Sequence, residues 1–158
     1  MNLKDYFEST WDARARLLDA CASLTREEWM REFPFSWKTI QRLFGHIIEV
    51  ERSWMLEDIE QSAYSWGGDD ALERLYGTVD LTRATSREVQ AITRRILDAY
   101  VPGRLGETRT GKDAHGNPAT FTVEQILTHV FTHELRHQGQ LQAMLRLLGK
   151  AAPNADWI

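Results

Sequence analysis

Cysteine is nearly absent from this sequence of 158 residues, which contains only Cys21. A single cysteine excludes an intrachain disulfide framework and is typical of a reducing compartment. No apolar run approaches the roughly 18 residues that a helix needs to span a bilayer. The first ten residues also lack the charged-then-apolar order of a signal peptide. We therefore expect a cytoplasmic protein with no membrane partner and with Cys21 as an inert, buried thiol.

An excess of positive charge is also missing. The chain has 19 basic and 23 acidic residues, a formal net charge of −4, and the two signs are mixed along it. Neither a basic block nor an alternation of basic and aromatic residues indicates a surface for nucleic acid. With 42% hydrophobic and 27% charged residues, the composition is that of a globular protein, and the length predicts one domain over residues 1–158.

Apolar residues recur at intervals of three and four, and no stretch alternates as a strand would, so the sequence predicts an all-α fold. A capping box at Thr25–Glu28 begins a short helix that reaches Phe33, where Pro34 stops it. Ser36 is the expected N-cap of the second long helix. The four long helices are predicted at residues 3–24, 36–61, 69–100 and 122–148.

The third and fourth long helices have predicted breaks and ends of their own. The third is interrupted near Gly77, and its predicted buried side consists of Val79, Ala84, Val89, Ile92, Ile96 and Leu97. Residues 101–121 contain four glycines and predict a long loop or a short hairpin around His115-Gly-Asn. A second capping box, in residues 122–125, begins the last helix, and Gly149 terminates it. Four long helices with one long connection indicate a four-helix bundle.

Two histidines interrupt the apolar face of the last helix. This face consists of Ile126, Val130, His133, His137, Leu141, Met144 and Leu148. A buried imidazole without a partner costs about 1–3 kcal/mol, so a partner is expected in the core. His46 lies on the inward face of the second helix. Three neutral imidazoles that meet in a core form a site for a divalent metal with open positions for water or substrate.

Residues 133–137 read HELRH, which is the zinc signature of many metalloproteases. These enzymes take a third ligand from farther along the chain, but neither His nor Glu follows His137, and Ala143 stands where a metzincin has its last histidine. A di-iron carboxylate site requires Glu-x-x-His on two helices, and only Glu134–His137 has this spacing. Both interpretations are therefore set aside.

Other polar residues could assist the site. Glu134 is a candidate base or a partner of an imidazole N–H, and the alternative is a salt bridge with Arg136, Arg42 or a neighbouring helix. His129 is interpreted as a histidine that supports the ligands or is hydrogen-bonded in the core, and His115 as solvated.

Three further groups lie near the expected site. Trp54, Tyr64 and Trp66 are candidates for lining a pocket above the metal, with ordinary packing as the alternative. Gln138 and Gln140 could donate hydrogen bonds near the site.

The segments LFGHIIEVERSW (43–54) and ILTHVFTHELRHQGQLQAMLRLLG (126–149), with the closing PNADWI, resemble the DinB superfamily of metalloenzymes over nearly the whole chain. This resemblance implies a four-helix bundle of DinB topology, commonly a homodimer. It also implies a metal held by His46, His133 and His137. The position before His137 is often a histidine in relatives, whereas here it is Arg136, which is not among the implied ligands.

The same resemblance implies a function. Some relatives are S-transferases or isomerases that use a low-molecular-weight thiol such as bacillithiol or mycothiol, and others are described as metal-dependent hydrolases. We therefore expect a thiol-dependent S-transferase or a hydrolase of small molecules, with a non-catalytic, stress-related metal-binding protein as the alternative. Zn or Ni is the leading metal, and Fe, Co, Cu and Mn are also compatible with the donors.

Overall fold

The computed structural model describes residues 2–113 and 115–154 and is mostly helical. Its α-helices are α1 (Leu3–Cys21), α2 (Arg26–Met30), α3 (Ile40–Ser53), α4 (Gly68–Tyr76), α5 (Val79–Tyr100) and α6 (Val123–Leu147). A π-helix (Trp54–Ile59) continues α3, and the strands β1 (Thr108–Lys112) and β2 (Pro118–Thr122) form an antiparallel hairpin before α6. Residues 155–158 of the closing PNADWI lie outside the described residues.

Local capping explains where several of these helices begin and end. Both predicted capping boxes are present, at Thr25 before α2 and at Thr122 before α6. At the other end of α6, Gly149 has a φ of +71°, the left-handed conformation that a glycine after a helix readily adopts. The ends of α6 were therefore predicted to within one residue.

Three other predicted boundaries were wrong. Ser36 does not cap α3, because its φ of +54° is far from the extended backbone of an N-cap, and Thr39 caps the helix instead. The first helix ends at Cys21 rather than Leu24. The short helix α2 ends at Met30 rather than Phe33, because Arg31 already has extended backbone, with φ −61° and ψ 131°.

The predicted break near Gly77 separates α4 from α5, and the buried face of α5 was predicted in part. Val89, Ile96 and Leu97 are buried as predicted, and Ala84 is exposed. The same face also buries three threonines that were not predicted, Thr82, Thr85 and Thr93. Each of their hydroxyls donates to a carbonyl one turn earlier in the chain, which satisfies it inside the protein, and the periodicity of apolar residues does not reveal such positions.

The long connection contains the hairpin that the sequence offered as one of two options. Asp113 makes its turn, since one carboxylate oxygen accepts from the backbone N–H groups of His115 and Asn117. His115 is exposed there, as expected. The hairpin contacts the π-helix and leads directly into α6.

The long helices α1 and α3 each pack against both α5 and α6. One apolar core forms around Phe44 and Leu141 and another around Phe7 and Leu127. Between them along the helices are buried polar side chains, which we call the polar layer: Arg14, Glu51, Thr93, Glu134 and Gln138. Among the described residues, no helix is both long enough and apolar enough to cross a membrane.

Candidate metal centre

His46 on α3 meets His133 and His137 on α6. The Nε2 atom of His133 lies 2.9 Å from Nε2 of His46 and 3.1 Å from Nε2 of His137. One ring nitrogen from each of the three lies within 4.8 Å of the others. The i, i+4 spacing places the two α6 rings on successive turns of one face, and the packing of α3 against α6 brings the third ring to them.

This nitrogen geometry fits a metal ion. Two nitrogens bound to one ion at about 2.0–2.1 Å are roughly 2.9–3.4 Å apart when the angle between them is between octahedral and tetrahedral. The two separations from His133 lie in this range, and all three nitrogens lie within 4.8 Å of one another. A neutral imidazole nitrogen carries either one hydrogen or one lone pair, so a cation shared by three lone pairs satisfies all three together. The group could therefore hold a divalent metal.

Neighbouring side chains fix the orientation of His137. Its Nδ1 lies 2.6 Å from Oε1 of Gln140, and because this oxygen only accepts, Nδ1 is the donor. The other side of the ring agrees, since Nη2 of Arg136 approaches Nε2 at 3.4 Å and a guanidinium only donates. Nε2 of His137 therefore carries the lone pair that a metal ligand requires. It lies 3.1 Å from Nε2 of His133, and a metal bound there would take the place of the Arg136 contact.

Two residues beside the histidines, Gln140 and Trp37, make contacts that the sequence analysis did not predict. Gln140 accepts from His137 rather than donating, and it also accepts from the Ser36 hydroxyl at 2.7 Å. Trp37, which the sequence analysis did not identify, stacks on His46 with ring centroids 4.0 Å apart. No sequence signal points to Trp37, because it lies in an irregular turn before α3.

Burial keeps these imidazoles neutral. Burial first, and then the neighbouring imidazoles and Arg136, lower the pKa of His46 to about 4 and that of His133 to about 3. The pKa of His137 is also lowered, first by burial, although Gln140 opposes this shift. Since a protonated ring has no lone pair for a metal, the low pKa values leave the ligand atoms available at neutral pH.

Glu134 is turned away from the three histidines and belongs to the polar layer. Its carboxylate accepts from Nε of Arg14 at 3.1 Å, from Nη2 of the same guanidinium and from Gln138 at 2.7 Å. The salt bridge proposed with Arg136 or Arg42 was therefore wrong, and the alternative, a neighbouring helix, is correct. A role for Glu134 as a base stays a prediction, and no hydrogen bond from it to a described histidine is present.

Arg14 is the centre of this layer and was missed from the sequence. Besides Glu134 it donates to Glu51 at 2.6 Å and to Ser86 at 3.0 Å. Glu51 also accepts from Thr93 at 2.7 Å. A signal was available, because Phe7, Trp11, Arg14 and Leu18 are spaced by four, three and four, so that an arginine stands on an apolar stripe.

A cleft of about 670 Å³ lies directly beside His46. Trp54, Tyr64 and Trp66, the three aromatic residues singled out from the sequence, all line it. The π-helix begins at Trp54, and such insertions are frequent where a helix contributes to a functional site. The candidate centre thus adjoins a space large enough for a small molecule.

His129 does not join the three histidines. It is exposed, not a core residue as one interpretation held, and its ring packs against Trp54 at 4.9 Å between centroids. Its ring centroid is 6.0 Å from that of His133. His129 lies four residues before His133, and each such step turns a position by about 40° around the helix, which moves the His129 ring away from the site.

Comparison with known proteins agrees with this architecture. Residues 1–158 match the model of the DinB family. This chain belongs to the DinB family. It is 27% identical to the uncharacterized protein YizA of Bacillus subtilis strain 168, over 97% of this chain and 92% of YizA.

A solved structure also resembles this DinB-family chain. The crystal structure of a DinB-like protein from Bacillus cereus ATCC 10987 has a TM-score of 0.68 and 20% sequence identity, covering 96% of this chain and 93% of that one. At this identity the likeness concerns the fold alone.

Proposed function

We propose that this protein is a metal-dependent enzyme in which His46, His133 and His137 hold a divalent metal ion, Zn or Ni in the first place and Fe, Co, Cu or Mn in the second. The observation that carries the proposal is the convergence of three Nε2 atoms beside an open cleft that His46 itself lines. A structural metal site is usually closed by four protein ligands. A three-ligand group next to a cleft therefore favours catalysis over the alternative, a non-catalytic metal-binding protein.

Charge in the polar layer supports the same proposal. Arg14 contributes one positive charge, and its two carboxylate partners, Glu51 and Glu134, contribute two negative ones. This layer is buried and therefore weakly screened, so its net charge of about −1 favours a cation nearby and opposes the repulsion from Arg136, which lies 3.4 Å from Nε2 of His137. Glu134 directly follows His133 and raises the pKa of His137 through its charge, against the larger effects of burial and of Arg136.

The chemistry belongs to one of two closely related types. A divalent metal with open positions lowers the pKa of a bound water towards about 7, or it holds a thiol cosubstrate deprotonated. The chain itself orients His137 through Gln140, fixes the ring of His46 against Trp37 and provides the cleft. Hydrolysis of a small molecule and transfer of a low-molecular-weight thiol both fit these roles.

The remaining expectations form part of the proposal. They are a four-helix bundle of DinB type built from α1, α3, α5 and α6, a single domain over residues 1–158, a homodimer and a cytoplasmic location. The packing of α1 and α3 against both α5 and α6 supports the bundle. The thiol cosubstrate, the dimer and the location stay predictions.

Metal content of site variants tests the proposal. We expect the untagged protein to bind one divalent ion per chain, and His133→Ala to lose it while remaining helical, because two imidazoles cannot replace three. His115→Ala is the matched control, since His115 is exposed in the hairpin turn. Metal analysis by mass spectrometry and circular dichroism provide the readouts. Stoichiometric metal in both His133→Ala and His46→Ala would show that the assignment is wrong.

An activity screen of the metal-bound protein then distinguishes hydrolysis from thiol transfer. One arm offers thiols with electrophiles and the other offers small esters and amides without thiol. Turnover that requires the metal in either arm supports an enzyme, and metal binding without turnover in both supports the non-catalytic alternative.

A further inference from the structure

The cleft beside His46 has aromatic walls. Trp37, Trp54, Tyr64 and Trp66 all line it. Trp37 and Trp66 leave 45% and 41% of their surface exposed, although large apolar side chains are usually covered. The face of an aromatic ring carries negative potential and attracts organic cations, most strongly when the ring is tryptophan.

Carboxylates outnumber basic groups among the described residues that line this cleft. Glu49, Glu57 and Asp69 face one arginine, Arg42. Arg42 lies 3.2 Å from Asp69, so the charges of these two residues offset each other. Glu49 also has an arginine beside it, Arg52, so among the described lining residues the carboxylate whose charge no arginine offsets is Glu57.

The two remaining carboxylates are held differently. Glu49 is buried and accepts hydrogen bonds from the hydroxyls of Tyr64 and Tyr76, and Arg52 lies 3.9 Å from it. Glu57 is exposed and accepts from the Ser53 hydroxyl at 2.5 Å. Within residues 2–113 and 115–154, Glu57 has no basic partner, and it is therefore the carboxylate most available to a ligand.

We infer that the cleft binds a small organic cation, a quaternary ammonium or protonated amine, with the aromatic rings against its CH groups and Glu57 opposite its charge. In the metal-free protein an anionic group in the same place would face the unpaired carboxylate of Glu57 and would be repelled. Binding of the cation to the cleft requires no metal. The inference rests on the proposed function in one respect, namely that the cationic group belongs to the substrate of the enzyme. It therefore narrows the substrate class of the same site.

Choline and its uncharged carbon analogue, dimethylbutanol, test the inference directly. Both have the same shape, so a difference between them reports charge alone. In the metal-free protein we expect choline to bind about tenfold more tightly, because cation–π contacts and a carboxylate each contribute a few-fold. Titrations monitored by tryptophan fluorescence and by calorimetry measure both affinities. Equal affinities, or no binding of choline at millimolar concentration, would overturn the inference.

Two substitutions locate the ligand. Glu57→Gln should weaken choline binding by up to about fivefold and leave dimethylbutanol unchanged, since an exposed ion pair contributes little more than this. Trp66→Leu should weaken choline binding by about fivefold through the lost ring. Glu27→Gln, the same charge change on the exposed surface of α2, is the matched control and should have no effect. Identical choline affinities in Glu57→Gln, Trp66→Leu and Glu27→Gln would place the ligand elsewhere.

Metal content tests the proposed function and choline affinity tests the cleft assignment, so either proposal can be wrong without the other. If choline binds as expected but the protein holds no metal, the cleft assignment stands and the proposed enzyme does not. If one metal binds per chain and the protein binds choline and dimethylbutanol equally, the metal site stands and the substrate class is wrong.

Discussion

The two ring nitrogens of His137 have separate tasks. Nδ1 donates to Gln140, and this bond leaves the lone pair on Nε2, 3.1 Å from Nε2 of His133. Gln140 thus acts on the candidate metal only through the imidazole that it orients. Partners of this kind are expected to affect metal affinity without being ligands.

Gln140→Leu should therefore weaken metal binding by roughly 10- to 100-fold, the usual effect of removing such a partner. The substitution removes the acceptor, so that the ring loses its preferred tautomer and orientation. Competition titration against a chromophoric chelator measures the change. Gln142→Leu is the control, because Gln142 is on the same helix and donates to the Pro153 carbonyl instead of a histidine. Equal metal affinities of the two variants would contradict the role assigned to Gln140.

Single residues of the site were predictable where they lie on regular helices. His133 and His137 were identified because an i, i+4 pair on an apolar stripe requires a partner inside the core. Trp37 was not, since it stands between two non-glycine residues of positive φ, Ser36 and Lys38. The direction of such a turn is set by contacts distant in sequence, here the bond from Ser36 to Gln140.

Among the elements, α3 and α4 come into close contact at Gly45. A Cβ at this position would lie 3.0 Å from Cδ1 of Leu72 and 3.3 Å from Cδ2 of Tyr76. Tyr76 has little freedom to move, because its hydroxyl bonds to Glu49 and its carbonyl accepts from the indole of Trp29 at 3.1 Å. The glycine lets α4 approach the helix that carries His46.

Two glycine-to-alanine substitutions should therefore have opposite effects. Gly139 lies on α6 with open space where its Cβ would be, so Gly139→Ala should stabilise the protein by up to about 1 kcal/mol through helix propensity. Gly45→Ala has the same gain but overfills the α3–α4 contact at a cost of about 1–3 kcal/mol, leaving it less stable than the wild type. Urea unfolding measures both. If Gly45→Ala were as stable as Gly139→Ala, Leu72 and Tyr76 of α4 would be able to move away from the added methyl group at little cost in free energy.

Elements were predictable to the extent that local signals determine them. The boundaries of α6 follow from a capping box and a glycine, both within a few residues of the helix ends. The buried face of α5 was partly wrong because Thr82, Thr85 and Thr93 are buried by virtue of hydrogen bonds that the hydropathy pattern does not contain. The start of α3 was misplaced because Ser36 and Thr39 are chemically equivalent as caps, and only tertiary contacts distinguish them.

At the scale of the whole molecule, the polar layer connects the four long helices between the two apolar cores. Arg14 of α1 binds Glu51 of α3, Ser86 of α5 and Glu134 of α6. Removing one member of a buried ionic group leaves its partners charged and unpaired. This lowers the free energy of unfolding more than replacing the whole group by apolar residues does.

Arg14→Met should consequently destabilise the protein by about 3–5 kcal/mol at neutral pH. Glu51 and Glu134 would remain buried without their cation, and protonation at low pH would relieve this uncompensated charge. The folded variant would then bind more protons than its unfolded chain, so its deficit relative to the wild type should shrink as the pH falls. Guanidinium unfolding at several pH values measures this. Arg16→Met, the same substitution at an exposed position of α1, should change stability by less than about 0.5 kcal/mol. A deficit independent of pH would indicate that Arg14 stabilises the fold by packing, and the net negative charge that we assign to the layer beside the three histidines would lose its support.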